Sequence, residues 1–232
     1  MDLWLRFVLL LLGAYLLGSI PAAYLCVRWA TGADIRKIGT GNVGSSNVAQ
    51  TTSKWLAIAV GLFDMGKGTL AFFIAYWLGM EVWQQMAVGL AAVAGHNWSV
   101  FIGFHGGKGM ITTLGVIFAV SPLLGLIILF TAYFPAVFKQ MAVGVFMCFL
   151  TLPLWSWFAW SWFASSRIGA EDRLAVTIGL FVIASMGAMK RLIGSRVSIS
   201  RDIPLAELLL NRLLFDRDIR DRQTWINRTS VD

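Results

Sequence analysis

Long apolar runs broken by short polar loops set the pattern of the chain, at about 3–29, 54–80, 86–104, 110–120, 123–138, 141–163 and 174–189. They are continuous and do not alternate in ten-residue pieces, which predicts helices and not the strands of a closed barrel. A hydrocarbon core about 30 Å thick takes roughly 20 apolar residues per helix, which leaves room for six or seven crossings and little beyond loops and a tail. The fourth run is too short to cross alone and meets Ser121-Pro122, so it reads as half of a kinked pair with the fifth; six crossings stay open beside seven. The expected fold is an all-α integral membrane protein with about seven transmembrane helices, some short or half-spanning. A transmembrane portion covers 1–194 and a tail covers 195–232.

Composition agrees. With 58% hydrophobic and 13% charged residues and a mean hydropathy of +0.73, the polar surface is too small to cover a soluble globule. Gly18-Ser19-Ile20-Pro21 interrupts the first run and no small-residue cleavage site follows it, so that run reads as a retained helix and not a removed signal. Cys26 and Cys148 sit inside apolar runs without CxxC spacing, which supports neither a disulfide framework nor a metal site.

The net charge of +7 could suggest nucleic acid, but the basic residues flank apolar runs, where anionic headgroups explain them; no nucleic-acid partner is expected. Their placement also orients the chain. Arg28, Arg36, Lys37 and Lys54 follow the first run, and Lys190, Arg191, Arg196 and Arg201 follow the last, so both segments belong on the cytoplasmic side. An odd number of crossings is then required. Seven, starting outside, put Lys108 and Lys139 in cytoplasmic loops and Glu81 outside, with Arg167 and Arg173 outside against the trend. The piece 204–215 is amphipathic and precedes a mixed run of Asp and Arg from Asp216 to Arg222, predicting a helix that lies on the membrane surface.

Chemistry concentrates in two glycine-rich loops on one predicted face. The first, 34–47, carries Gly39, Gly41 and Gly44 among Asn42, Ser45, Ser46 and Asn47, with Arg36 and Lys37 nearby. Glycines let successive N–H groups converge, hydroxyls and amides add donors, and a helix expected near Asn47 adds its dipole, so the loop suits a phosphate; an ordinary flexible turn has the same composition. The second, His105-Gly106-Gly107-Lys108-Gly109, sets a lysine before the next helix, without the spacing or strand of a P-loop. Together they suggest a pocket for two phosphate-bearing ligands, or one ligand and its leaving group.

Asp64 and Lys67, three apart at membrane depth, read as a structural ion pair. His96 has no carboxylate or second His beside it in sequence and reads as hydrogen-bonded structure; neither metal nor cofactor is expected. Trp155, Trp157, Trp160 and Trp162 gather near a predicted span end, as an interfacial belt does.

Taken in order, Gly18-Ser19-Ile20-Pro21-Ala22-Ala23-Tyr24-Leu25, the first loop through Asn47, Asp64-Met65-Gly66-Lys67-Gly68, and Gly95-His96 followed by Gly106-Gly107-Lys108-Gly109 resemble the PlsY-type family of acyl-phosphate:glycerol-3-phosphate acyltransferases. The resemblance implies seven spans, an extracytoplasmic N-terminus, a cytoplasmic active site and C-terminus, no metal, and transfer of an acyl group from acyl phosphate to the first hydroxyl of glycerol 3-phosphate, giving lysophosphatidic acid. Carried over by position, Asn42, Gly44, Ser45, Ser46 and Asn47 would bind phosphate with Gly106, Gly107, Lys108 and Gly109, and Lys108, Ser45 and Asn47 would serve catalysis. The family usually has Arg where Gln50 stands, Ser at Ala142 and a His-x-x-Asn pair at Ser185 and Ala188. Those departures also fit a relative that binds phosphorylated lipid precursors without turnover or with an altered substrate.

Overall fold

The computed structural model describes residues 2–138, 140–158, 160, 168–193 and 202–227, and among them every long element is a helix. Helices α1 (Leu3–Ser19) and α2 (Ala22–Thr31) share the first apolar run. They are separate because Pro21 supplies no N–H and pushes Ile20 to ψ 112°, outside the helical region. A short helix α3 (Ser45–Thr51) leads into α4 (Lys54–Trp77). Helix α5 (Val82–Asn97) begins and ends earlier than the run 86–104 suggests, because a capping box between Glu81 and Gln84 starts it and the chain turns at Trp98 into the second glycine-rich loop.

Helices α6 (Met110–Val120) and α7 (Pro122–Tyr133) are two helices and not one kinked rod. Ser121 is extended, its Oγ accepts from the N–H of Leu124, and Pro122 opens α7. The ring of Phe118 closes on Gly125, seven residues on, so α7 folds toward α6 and does not continue its line. Helices α8 (Met141–Phe158) and α9 (Arg173–Leu192) complete the bundle, followed by α10 (Leu205–Phe215) and α11 (Arg222–Asn227).

Helix α5 lies centrally, against α1, α4, α6 and α9; α4 also packs on α6, and α8 on α7 and α9. Lipid tails are as apolar as leucine, so close backbone approach, not water exclusion, must hold such helices together. Small residues provide it: a Cβ on Gly68 would strike the backbone of Thr112, and one on Gly115 the backbone of Met65, which fixes how near α4 and α6 come. Leu9, Leu62, Phe130, Leu150 and Phe181 instead stay exposed on the outside, where a bilayer and not water suits them.

Among the described residues, four stretches, Leu3–Thr31, Lys54–Trp77, Met141–Phe158 and Ala170–Leu192, are long and apolar enough to cross a membrane; the other apolar helices there are shorter. The amphipathic tail helix forms as expected but does not simply lie on a surface. Leu208, Asn211 and Arg212 of α10 are buried, and the helix docks on α8 and α9. Lys139, Trp162, Arg167, Arg196 and Arg201, which figured in the sequence reading, lie outside the described residues.

Candidate functional site

The first loop is built around one amide. Asn47 is fully buried; its Oδ1 accepts from the N–H of Thr40 at 3.0 Å, and its Nδ2 lies 3.1–3.2 Å from the carbonyls of Ile35, Ile38 and Asn42. Beneath it, Ile35, Val43 and Val48 seal the loop against α2 and α4. At the outer rim, the Arg36 guanidinium hydrogen-bonds the Asp34 carboxylate and holds its pKa down at about 2. The helix after the loop starts at Ser45, earlier than expected, so Ser45 and Ser46 form its first turn. Asn47, expected to face a ligand, faces the loop interior.

The second loop clamps onto the first. The N–H of Gly107 donates to the carbonyl of His96 at 3.0 Å. A Cβ at Gly107 would meet both the His96 ring and the carbonyl of Val43, so only glycine brings the loops this close. Gly109, at φ +73°, then turns the chain into α6. Below this junction Asp64 Oδ1 lies 2.8 Å from Lys67 Nζ and 3.4 Å from His96 Nδ1. His96 is therefore beside a carboxylate after all, one supplied from another helix and invisible in its own sequence neighbourhood. Lys67 Nζ also donates at 3.3 Å to the carbonyl of Ile20, which the break before Pro21 leaves without a helical partner. The cluster joins α1, α4 and α5 under the site.

Spaces that share lining residues adjoin it. An inner cavity of about 130 Å³ is lined by Asn42, Gly44, Ser45, Ser46, Lys108 and Gly109 from the two loops, and by Tyr133, Met141, Ala142 and Arg191 from helices later in the chain. An apolar groove of about 700 Å³ lies beside it, between α4 and the α6–α7 pair, and shares Ser45, Ser46, Ile111, Tyr133 and Met141 with it. An outer chamber of about 390 Å³ is bounded by Thr40, Asn42, Ser46, Gln50 and Lys108 and by the tail residues Phe215, Asp216 and Arg217. Gly106 and Gly107 instead line a small void behind the loops. The two loops that the sequence singled out thus meet, and of their predicted site residues only Asn47, Gly106 and Gly107 are turned away from the main cavity.

Charge in the site comes partly from places the sequence reading did not mark. Lys108 Nζ lies 2.5 Å from Asp216 Oδ2. Arg191, read only as a flanking positive charge, is buried and donates through Nη1 to the carbonyl of Leu213 and through Nη2 to that of Ala142. Its place at the end of the last apolar run was the one signal in the sequence, and nothing there distinguishes it from Lys190. Gln50 donates to the carbonyl of Ser46 at 3.1 Å, and Ser185 turns outward to the carbonyl of Phe181 at 2.9 Å. Among the described residues no three His, Cys, Asp or Glu side chains gather as a metal shell requires. The arrangement can hold an anionic head at Lys108, surrounded by hydroxyl and N–H donors, with an alkyl chain in the groove.

The chain matches, over residues 8–194, a family model described as Glycerol-3-phosphate acyltransferase. Glycerol-3-phosphate acyltransferase 4 of Dehalococcoides mccartyi strain CBDB1 is 43% identical over 225 residues, 97% of this chain and 95% of that one. Glycerol-3-phosphate acyltransferase 5 of strain ATCC BAA-2266 / KCTC 15142 / 195 is 42% identical over 227 residues, 98% of this chain and 95% of that one. The crystal structure of PlsY (YgiH), an integral membrane glycerol 3-phosphate acyltransferase in its glycerol 3-phosphate form, superposes with a TM-score of 0.70 at 29% identity, covering 93% of this chain and 96% of that one.

Proposed function

The chain belongs to the glycerol-3-phosphate acyltransferase family, and from that premise we propose that it moves a fatty acyl group from acyl phosphate to the sn-1 hydroxyl of glycerol 3-phosphate, releasing inorganic phosphate and lysophosphatidic acid. The observation that carries this is the wall of Ser45, Ser46, Ile111, Tyr133 and Met141 shared by the cavity that holds Lys108 and an apolar groove. A substrate with a charged head and an alkyl tail fits both at once.

The acyl carbonyl then lies at the Ser45–Ser46 turn, where hydroxyl and N–H groups stabilise the oxyanion as the glycerol hydroxyl attacks. The C–O bond to phosphate breaks, Lys108 neutralises the departing phosphate, and the hydroxyl proton passes to a phosphate oxygen of the substrate. Acyl phosphate is already activated, so no Ser-His-Asp triad is required. Asn42, Gly44 and Gly109 shape the phosphate cradle, Gly106 and Gly107 let the second loop reach it, and Asn47 acts by positioning the first loop. Seven crossings with an outside N-terminus put both loops, the 134–140 connection and the tail on the cytoplasmic side. The division at residue 194 separates the membrane portion from the tail that docks beneath it.

The test is phosphate release from palmitoyl phosphate plus glycerol 3-phosphate. Release should need the acceptor and fall about a hundredfold or more in Lys108→Ala, the scale of losing a charge-assisted contact at a transition state. Absence of release would favour the second reading, a relative that binds phosphorylated lipid precursors, to which neutral Gln50 and outward-facing Ser185 point.

A further inference from the structure

Arg191, in the last turn of α9, brings a buried charge to the wall of the inner cavity. It is 7% exposed, and of the five N–H donors of a guanidinium its bonds to the carbonyls of Leu213 and Ala142 use two. Ala142 lines the cavity as well, so the guanidinium itself stands at the wall. Both partners are neutral, and among the described residues no carboxylate lies within ion-pair distance of Arg191. A buried cation without a paired anion is costly, which points to a ligand that brings the missing charge.

The charges around the cavity agree. Lys108 and Arg191 line it with Asp64 and Asp216. Asp64 is taken up by Lys67 at 2.8 Å, with His96 at 3.4 Å, so two cations face the one carboxylate of Asp216. That carboxylate sits 2.5 Å from Lys108 and acts on Arg191 only from a greater distance. Nor does docking of the tail depend on Arg191 alone. Arg212 Nη1 makes the reciprocal bond, from α10 back to the carbonyl of Leu192 at 2.8 Å.

The position of the cavity selects the ligand. It shares Ser45, Ser46, Ile111, Tyr133 and Met141 with the apolar groove, whereas the outer chamber, bounded by Thr40, Gln50 and the tail, does not include Arg191. The phosphate of an acyl phosphate is bonded to the acyl carbonyl, so it belongs in the space beside the groove. We propose that Arg191 binds the phosphate of the acyl donor and, together with Lys108, holds it as it leaves. This rests on the acyl-transfer reading for the identity of the ligand. As the glycerol hydroxyl attacks, the bond from carbonyl carbon to phosphate oxygen breaks and its electron pair stays on the phosphate. The hydroxyl proton passes to a phosphate oxygen, and the planar fork of Arg191 meets two oxygens of the departing group.

The experiment uses full-length protein in detergent and measures binding of inorganic phosphate and of palmitoyl phosphate without acceptor. Acyl transfer and the ligand-free unfolding temperature are read on the same preparations. Arg191→Gln should weaken binding of both about tenfold or more, and Arg191→Lys should fall between it and the native protein. In transfer, inorganic phosphate should compete with palmitoyl phosphate, and its inhibition should weaken in Arg191→Gln by the same factor as binding. A change in unfolding temperature with both affinities unchanged makes Arg191 an anchor for the tail and overturns the proposal. So does a loss confined to the KM of glycerol 3-phosphate, or native protein that binds neither phosphate nor palmitoyl phosphate. Should Arg191→Gln fail to fold, an Arg191→Lys variant that binds both as tightly as the native protein overturns it. Native protein that binds palmitoyl phosphate through Arg191 but transfers nothing sinks the reaction and leaves Arg191 standing; transfer that is unchanged in Arg191→Gln does the reverse.

Discussion

Asn47 shows how a side chain can be indispensable to a site without touching what the site holds. Its amide gathers four backbone groups of the first loop in a fully buried position. Asn47→Ala leaves buried carbonyls unpaired, so unfolding free energy should drop by about 2–3 kcal/mol, measurable by denaturant unfolding in detergent. The sequence announced that this loop was special through its glycines, serines and amides. It could not say which amide faces inward, because an Asn donates and accepts equally well in either direction.

Asp34 offers a pH test at the same scale. Its carboxyl is held at about 2, below the unfolded value near 3.9, so its contribution is present above pH 4 and is lost as pH falls through about 2. Asp34→Asn should therefore lose the part of the acid unfolding limb between those values and leave the limb above it unchanged.

Helices were easier to foresee than the way they join. The break at Pro21 follows from proline chemistry alone, whereas the reversal at Ser121 does not: an apolar run interrupted by Ser-Pro reads the same whether the chain kinks or folds back. Gly125 against Phe118 decides between them, and that contact exists only in three dimensions. The α4–α6 seam depends on the same kind of contact. Gly115→Leu forces side-chain atoms into the backbone of α4 and should cost at least about 1–3 kcal/mol, read as a lower unfolding temperature with reduced transfer activity. In the tail, Asp218→Asn removes the carboxylate charge paired with the buried Arg212 guanidinium, a loss of up to about 3–5 kcal/mol that should loosen α10 and expose it to limited proteolysis.

For the whole molecule, composition and charge were enough to place the chain in a bilayer with its glycine-rich loops together, and the meeting of those loops at one cavity agrees with that arrangement. The groove was not legible, because it is a gap between α4 and the α6–α7 pair and no residue pattern encodes a gap. Its wall suggests a control of chain length. Gly61 lines the groove, and a Cβ there would touch only Ser45, at 3.8 Å, so Gly61→Phe starts without a clash and should narrow the channel. The variant should favour short acyl phosphates over palmitoyl phosphate by about tenfold in kcat/KM, as loss of several methylene contacts implies.

The pairing of Lys108 with Asp216 has a further consequence in time. The two are 108 positions apart, and at roughly 5–20 residues per second of synthesis the lysine waits about 5–20 s for its carboxylate. A ribosome halted just before Phe215 would leave helices already threaded into the bilayer and an outer chamber open on one side.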